Sequence, residues 1–102
     1  MGCEFLIKLD DDSCDVTNQQ LEDTLRILPN YSGRVQYPDN EAFELRSKTN
    51  LNGMPDVYVI GKNREIWICQ NGDYLILLQA LGALVVEFVT ESKSECIKVL
   101  KP

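Results

Sequence analysis

The sequence contains no histidine among its 102 residues. Histidine is the commonest general base and the usual partner of a serine or cysteine nucleophile, so its absence excludes the familiar catalytic triads. The six glycines form neither G-x-G-x-x-G nor G-x-x-x-x-G-K-[ST], the motifs that hold dinucleotides and phosphates. A catalytic pair of carboxylates stays open, because such a pair is defined by its separation in space. The sequence therefore favours a protein that has no cofactor and is not an enzyme.

The four cysteines are widely spaced and form no C-x-x-C pair. Without histidine they cannot complete the usual mixed zinc sites, so we expect no bound metal. Asp10 and Asp12 have the first spacing of a calcium-binding EF-hand loop, but Cys14 stands at the next ligand position and the central glycine is missing. Cysteines outside any paired pattern favour a reducing compartment, and we expect a cytoplasmic protein.

Long apolar runs are missing as well. The longest, residues 74–86, is interrupted by Gln79 and is shorter than the roughly twenty residues that a helical membrane span needs. Glu4 and Lys8 interrupt the beginning of the chain, where a signal peptide would need an apolar stretch. We therefore expect a soluble protein that makes no membrane contact.

Basic residues are outnumbered, because ten Lys and Arg stand against sixteen Asp and Glu and leave a net charge of −6. Residues 1–50 alone carry ten acids and five bases, so most of the excess lies in the first half. Binding to nucleic acid depends on Lys and Arg that displace counterions from phosphates, so we expect no nucleic-acid partner. A basic protein partner is compatible with this charge.

Residues 10–23 concentrate the acidity, with six carboxylates and no basic residue. Such a run is either a solvated surface or a binding face for a positively charged partner. Part of it has a local explanation, because Asp15 precedes a helix and Glu22 can pair with Arg26 one turn later. The hypothesis is that a basic partner binds four of these acids, namely Asp11, Asp12, Asp15 and Asp23.

Local patterns predict a first strand and a first helix. Residues 3–9 alternate apolar and polar side chains, as is typical of a half-buried strand. Thr17 and Gln20 have the spacing of a capping box at the beginning of a helix. Leucines follow at helical spacing until Pro29 stops the pattern, which predicts a helix over residues 18–28.

Two hairpins are predicted next. Residues 33–37 and 42–47 flank a turn with Pro and Asn, and residues 56–60 and 65–69 flank a second turn with Gly and Asn. The even number of residues in the second turn keeps the alternation in register across the hairpin. One face of that hairpin is then expected to carry Val57, Val59, Ile66 and Ile68.

The last third of the chain predicts one more helix and two strands. The apolar residues 74–81 lie between a candidate N-cap, Asp73, and a candidate C-cap, Gly82, and predict a short, deeply buried helix. Residues 84–89 and 95–100 predict the last strands. The order β-α-β-β-β-β-α-β-β predicts an α+β fold in which a largely antiparallel sheet packs with two helices in one domain, residues 1–102.

Tyr58 and Trp67 share the second face of the second hairpin. Aromatic residues at such positions either pack in the core, here beneath the first helix, or bind a partner, since Tyr and Trp are enriched in interface hot spots. We treat both as candidate partner-binding residues.

Taken together, the sequence predicts a small acidic protein that binds a macromolecular partner, as an inhibitor or immunity-type protein that covers a basic surface. One alternative is a small-molecule-binding or enzymatic domain in which the loop of residues 47–55 closes over a pocket lined by Tyr58 or Trp67. A homo-oligomer formed through a sheet edge or through the aromatic face is a further alternative.

Overall fold

The computed structural model describes residues 3–9, 16–51 and 53–89, together with the backbone of residues 96–100. In this part of the chain six strands and two helices follow one another in the order β-α-β-β-β-β-α-β. The strands are β1 (Cys3–Lys8), β2 (Tyr31–Gln36), β3 (Glu41–Leu45), β4 (Val57–Lys62), β5 (Glu65–Gln70) and β6 (Cys96–Leu100). The helices are α1 (Asn18–Leu25) and α2 (Tyr74–Leu84), and α2 continues into a π-helical stretch, Val85–Val89.

All six strands form one sheet in the order β2-β3-β4-β5-β1-β6, and every neighbouring pair is antiparallel. Antiparallel sheets commonly pack one face on a core and leave the other to solvent. The predicted fold class, a largely antiparallel sheet with two helices, is confirmed. Neither α1 nor α2 is both long enough and apolar enough to cross a membrane.

Helix α1 begins at the predicted capping box. The Gln20 backbone N–H donates to Thr17 Oγ1 at 3.1 Å, and the Thr17 N–H donates to Gln20 Oε1 at 3.0 Å. These bonds satisfy two of the donors that every helix leaves unpaired at its beginning. The helix ends at Leu25, three residues before the predicted end, because the chain tightens into a turn in which the Leu28 N–H donates to the Leu25 carbonyl.

Both helices pack on the same face of the sheet, and the buried side chains between them form one core. Gly61 on β4 lies directly beneath α1, where an added Cβ would come within 2.5 Å of Leu21 Cδ1. The absence of a side chain at Gly61 therefore lets α1 approach the sheet closely. The helices contribute Leu21, Leu25, Ile76, Leu77, Ala80 and Leu84 to this core, and the sheet contributes residues that include Ile7, Phe43, Val57, Val59, Ile66 and Ile68.

In the hairpin of β4 and β5 the side chains lie on the predicted faces of the sheet, but the turn is shorter than predicted. Its strands extend to the pair Lys62 and Glu65, so that two residues, Asn63 and Arg64, form the turn. Asn63 has a φ of 57°, in the left-handed region that asparagine tolerates better than most residues. Val57, Val59, Ile66 and Ile68 all lie buried on the helix-covered face, as predicted.

The strand predicted over residues 84–89 is wrong. Leu84 is the last residue of α2, and the π-helical stretch takes up the following five residues. Leu84 and Phe88 are buried beside Leu77 and Ala80, a spacing of three to four residues that only a helical backbone provides. Gly82, predicted to end the helix, lies inside it. Burial at helical spacing therefore outweighed the strand preference of the valines in this segment.

Candidate functional site

The structure places Asp23 on the exposed side of α1. Its carboxylate accepts a hydrogen bond from Gln19 Nε2 at 2.9 Å and lies 3.6 Å from the guanidinium of Arg26. Arg26 therefore pairs with Asp23 and not, as expected from the sequence, with Glu22. Glu22 instead lies 3.7 Å from the guanidinium of Arg34 on β2. Exposed pairs of this kind contribute less than about 1 kcal/mol, so Asp23 remains available to a partner. Asp11, Asp12 and Asp15 lie outside the described residues.

Asp23 lines a groove of about 700 Å³ between the helices. We call it the helix groove. Its α1 side includes Asp23 and Ile27, and its α2 side includes Leu78, Gly82, Val86 and Glu87. Asp23 and Glu87, one on each side, are the charged residues among those that line it, and both are acidic. The described lining therefore combines an apolar surface with a carboxylate on each wall, and the carboxylate of Asp23 has Arg26 beside it.

Helix α2 is apolar on its outer as well as its inner side. Leu77 is 1% exposed, whereas its neighbours Leu75 and Leu78 are 62% and 54% exposed. The expectation of a deeply buried helix is therefore correct for the inner side and wrong for the outer side. Val86 and, on the α1 side, Ile27 are also exposed. A helix that is apolar all round is normally buried, and grouped exposed apolar residues mark interaction sites.

Tyr58 and Trp67 lie on the face of the sheet opposite the helices. Both are half-buried, and they line a depression of about 410 Å³ with Ile60, Lys62 and Glu65. The interpretation in which the first helix covers them is wrong, because α1 packs above Gly61 and the buried valines on the other face. The aromatic pair is therefore accessible at the surface of the sheet.

Tyr58 is held in place by neighbours on the same face. Its ring meets that of Tyr37 edge to face, with centroids 6.2 Å apart. A hydrogen bond with Cys69, together with burial, raises the pKa of Tyr58 well above its ordinary value. Burial also raises the pKa of the Cys69 thiol. A thiol with a raised pKa carries less thiolate, which lowers its reactivity as a nucleophile.

The predicted site residues consequently divide between two surfaces. Asp23 lies with the helices, and Tyr58 and Trp67 lie across the sheet from them. One partner surface cannot contact both groups at once unless it wraps around the edge of the sheet. The sequence hypothesis treated them as one set because it gave no information on which face the helices cover.

The loop of residues 47–55 is held at the beginning of β4. Arg46 donates to the Gly53 carbonyl at 2.8 Å, and Asn50 donates to the Met54 carbonyl at 2.9 Å. The depression at Tyr58 and Trp67 is lined from β1, β4, β5 and Asn40, and the described loop residues contribute nothing to it. Among the described residues, the loop of residues 47–55 therefore does not close over this depression.

Asp56 joins this loop to the beginning of α2. Its buried carboxylate accepts hydrogen bonds from the Ser47 N–H at 2.9 Å, from Asn50 Nδ2 at 2.6 Å and from the Asp73 N–H at 2.8 Å. Burial raises the pKa of Asp56, but these bonds outweigh burial and leave the pKa below its ordinary value. A Cβ at Gly72 would collide with the Asp56 carboxylate, so glycine at this position leaves room for the carboxylate.

Comparisons of the chain with protein-family models, with curated proteins and with solved structures found no match. Within the described ranges, no group of three or more acidic or cysteine side chains is arranged to hold a metal ion. Of the residues that form the helix groove, sequence analysis identified Asp23 and missed Ile27, Leu78, Val86 and Glu87. The one available signal was the apolar run of residues 74–86, interrupted by Gln79, which is longer than one buried helix side requires.

Proposed function

We propose that the protein binds a basic protein partner through the helix groove and, in doing so, covers a basic surface of that partner as an inhibitor does. The observation that carries the proposal is the exposed apolar surface formed by Ile27, Leu78 and Val86 between the acids Asp23 and Glu87. Apolar side chains supply the area that a complex removes from water, and the acids select partners of opposite charge.

A second copy of the chain fits this surface less well than a basic partner does. In a two-fold dimer the same patch faces itself, so the acids on the groove walls would be brought near their own copies. The net charge of −6 adds repulsion between copies at longer range. A partner rich in Lys and Arg meets neither of these repulsions, and the negative charge of the chain accelerates its approach.

We place the complex in the cytoplasm. Cys3 and Cys69 are both free thiols. Free cysteines suit a reducing compartment, where disulfides are kept reduced.

Reversing one charge at the groove should slow association with the partner. The partner is isolated on the immobilised chain from a lysate of the cells that make it, and its association rate is then measured by stopped flow. We expect Glu87→Lys to lower the rate about tenfold at low salt, because electrostatic steering acts on the association step. The wild-type rate should also fall as salt is raised.

Asp39→Lys is the matched control, because it changes the net charge equally at an exposed turn away from the groove. We expect it to alter the rate by less than about twofold. Equal slowing by both reversals would mean that overall charge matters and the groove does not. Failure to isolate a basic protein, or an association rate independent of salt, would also contradict the proposal.

The depression at Tyr58 and Trp67 favours a second candidate, a small-molecule site, because it combines aromatic walls with the charged groups of Lys62 and Glu65. Trp67 is the single tryptophan of the chain, so its fluorescence separates the two candidates. A ligand in the depression should change the emission of Trp67. A partner bound only in the helix groove, across the sheet, should leave that emission unchanged.

A further inference from the structure

We infer that the occupant of the helix groove is an amphipathic helix of the partner, with Lys or Arg on both flanks of its apolar stripe. This inference rests on the proposed function and specifies the part of the partner that docks.

The groove walls favour a helix over an extended segment. They are built mainly from α1 and α2, whose backbone N–H and C=O groups are largely bonded within each helix. An extended segment would find no strand edge among the described residues that line the groove, and its own backbone groups would be left unpaired over Ile27, Leu78 and Val86. A helix arrives with its backbone hydrogen bonds already made, so only side chains need to match.

The exposed apolar side chains along the groove are spaced similarly to the apolar anchors of a docked helix. Leu78 and Val86 are eight residues apart on α2 and its π-helical continuation, which corresponds to about 12 Å along the axis. Apolar anchors at positions i and i+7 of a docked helix are about 10.5 Å apart. Gly82 lies midway, and an added Cβ there would meet no heavy atom within 4 Å. The middle of the groove is therefore open to the side chains of an occupant.

The acids define the flanks of the occupant. Asp23 lies on the α1 wall and Glu87 on the α2 wall. A helix lying between them presents one flank to each wall, so Lys or Arg on both flanks meets a carboxylate on each side. Helix-in-groove recognition of this type places apolar anchors at i, i+3, i+4 and i+7.

The probe is a labelled synthetic peptide of Leu, Lys and Ala, about sixteen residues long so that it can form a helix. Its leucines stand at i, i+3, i+4 and i+7, with lysines on both flanks. The control peptide has the same composition in an order that destroys the stripe, so its charge is identical. Binding is measured by fluorescence anisotropy, and helix formation on binding by circular dichroism.

Gly82 offers a matched pair of protein variants that keep the charge of the chain unchanged. Gly82→Phe should fill the groove from its floor, and Gly82→Ala should leave it open, while both improve the helix propensity of α2. We expect the striped peptide to become helical on binding and to bind wild type and Gly82→Ala at least about tenfold more tightly than Gly82→Phe. The striped peptide should also bind wild type at least about tenfold more tightly than the control peptide does. Thermal unfolding establishes that both variants are folded.

Two results would overturn the inference. Equal binding of both peptides would mean that charge alone attracts them, and equal binding to both Gly82 variants would place the peptide elsewhere. If the isolated partner still depends on Glu87 while the striped peptide fails, the proposed function stands and the helical occupant is wrong. If the partner is also insensitive to Glu87→Lys, the proposed function fails with it.

Discussion

Leu77→Ala should lower the free energy of unfolding by about 2–5 kcal/mol, whereas Leu78→Ala, one residue later on the same helix, should change it by less than about 0.5 kcal/mol. Leu77 is 1% exposed and packs in the core between the helices and the sheet, so its truncation leaves a cavity. Leu78 is 54% exposed, so its truncation removes few contacts within the chain. Urea unfolding followed by far-ultraviolet circular dichroism measures both changes.

Leu77→Ala and Leu78→Ala also distinguish an effect on stability from an effect on partner binding. Leu78→Ala should weaken the complex with the isolated partner because it removes part of the apolar surface of the helix groove. A large loss of stability in Leu78→Ala would show that Leu78 is covered within the molecule, contrary to the exposed surface on which the proposed function depends. Unchanged partner affinity in a stable Leu78→Ala variant would place the binding surface elsewhere.

Asp56→Ala should lower the free energy of unfolding by about 3 kcal/mol. The substitution removes the common acceptor of Ser47, Asn50 and Asp73, and it leaves these part-buried donors of the loop and of the α2 N-terminus without that partner. Asp39→Ala, at an exposed turn, is the control and should change stability by less than about 0.5 kcal/mol. Loss of stability of equal size in both variants would contradict the role given to Asp56.

Stability should also depend on pH through Asp56. Its pKa in the folded protein lies below the ordinary value, so the folded state favours the ionised form. Its contribution is complete above the unfolded pKa of about 3.9 and is lost as the pH falls through the lower folded pKa. The stability difference between wild type and Asp56→Asn should therefore be larger at about pH 6 than at about pH 3. A difference that does not change with pH would show that folding leaves the pKa of Asp56 unchanged, which would contradict this prediction.

The beginning of α1 and the two hairpins could be predicted because the signals are local. The capping box uses Thr17 and Gln20, three residues apart, and the same two bonds are present in the structure. The alternation in β4 and β5 specified which residues face the same way, and the pair Val59 and Ile68 confirms it. Charge could also be read from composition, although the structure does not describe the acids at residues 10–15.

The outer side of α2 could not be predicted, because a continuous apolar run has no polar side to mark the solvent. The β-branched Val85 and Val86 favoured a strand locally, whereas burial of Leu84 and Phe88 required helical spacing. Only the packing of α2 against the sheet decides that Leu77 turns inward and Leu78 outward. The candidate groove follows from that choice, and the sequence signals it only through the length of the apolar run of residues 74–86.

The sequence by itself determined the helix start, the strand alternation and the excess of negative charge, since each depends on neighbouring residues or on composition alone. The tertiary structure decided that β1 joins β5 and that both helices cover one sheet face. These choices depend on contacts between segments far apart in the chain, where burial of the core selects one arrangement. They bring Asp23 to the groove beside α2 and leave Tyr58 and Trp67 on the opposite face.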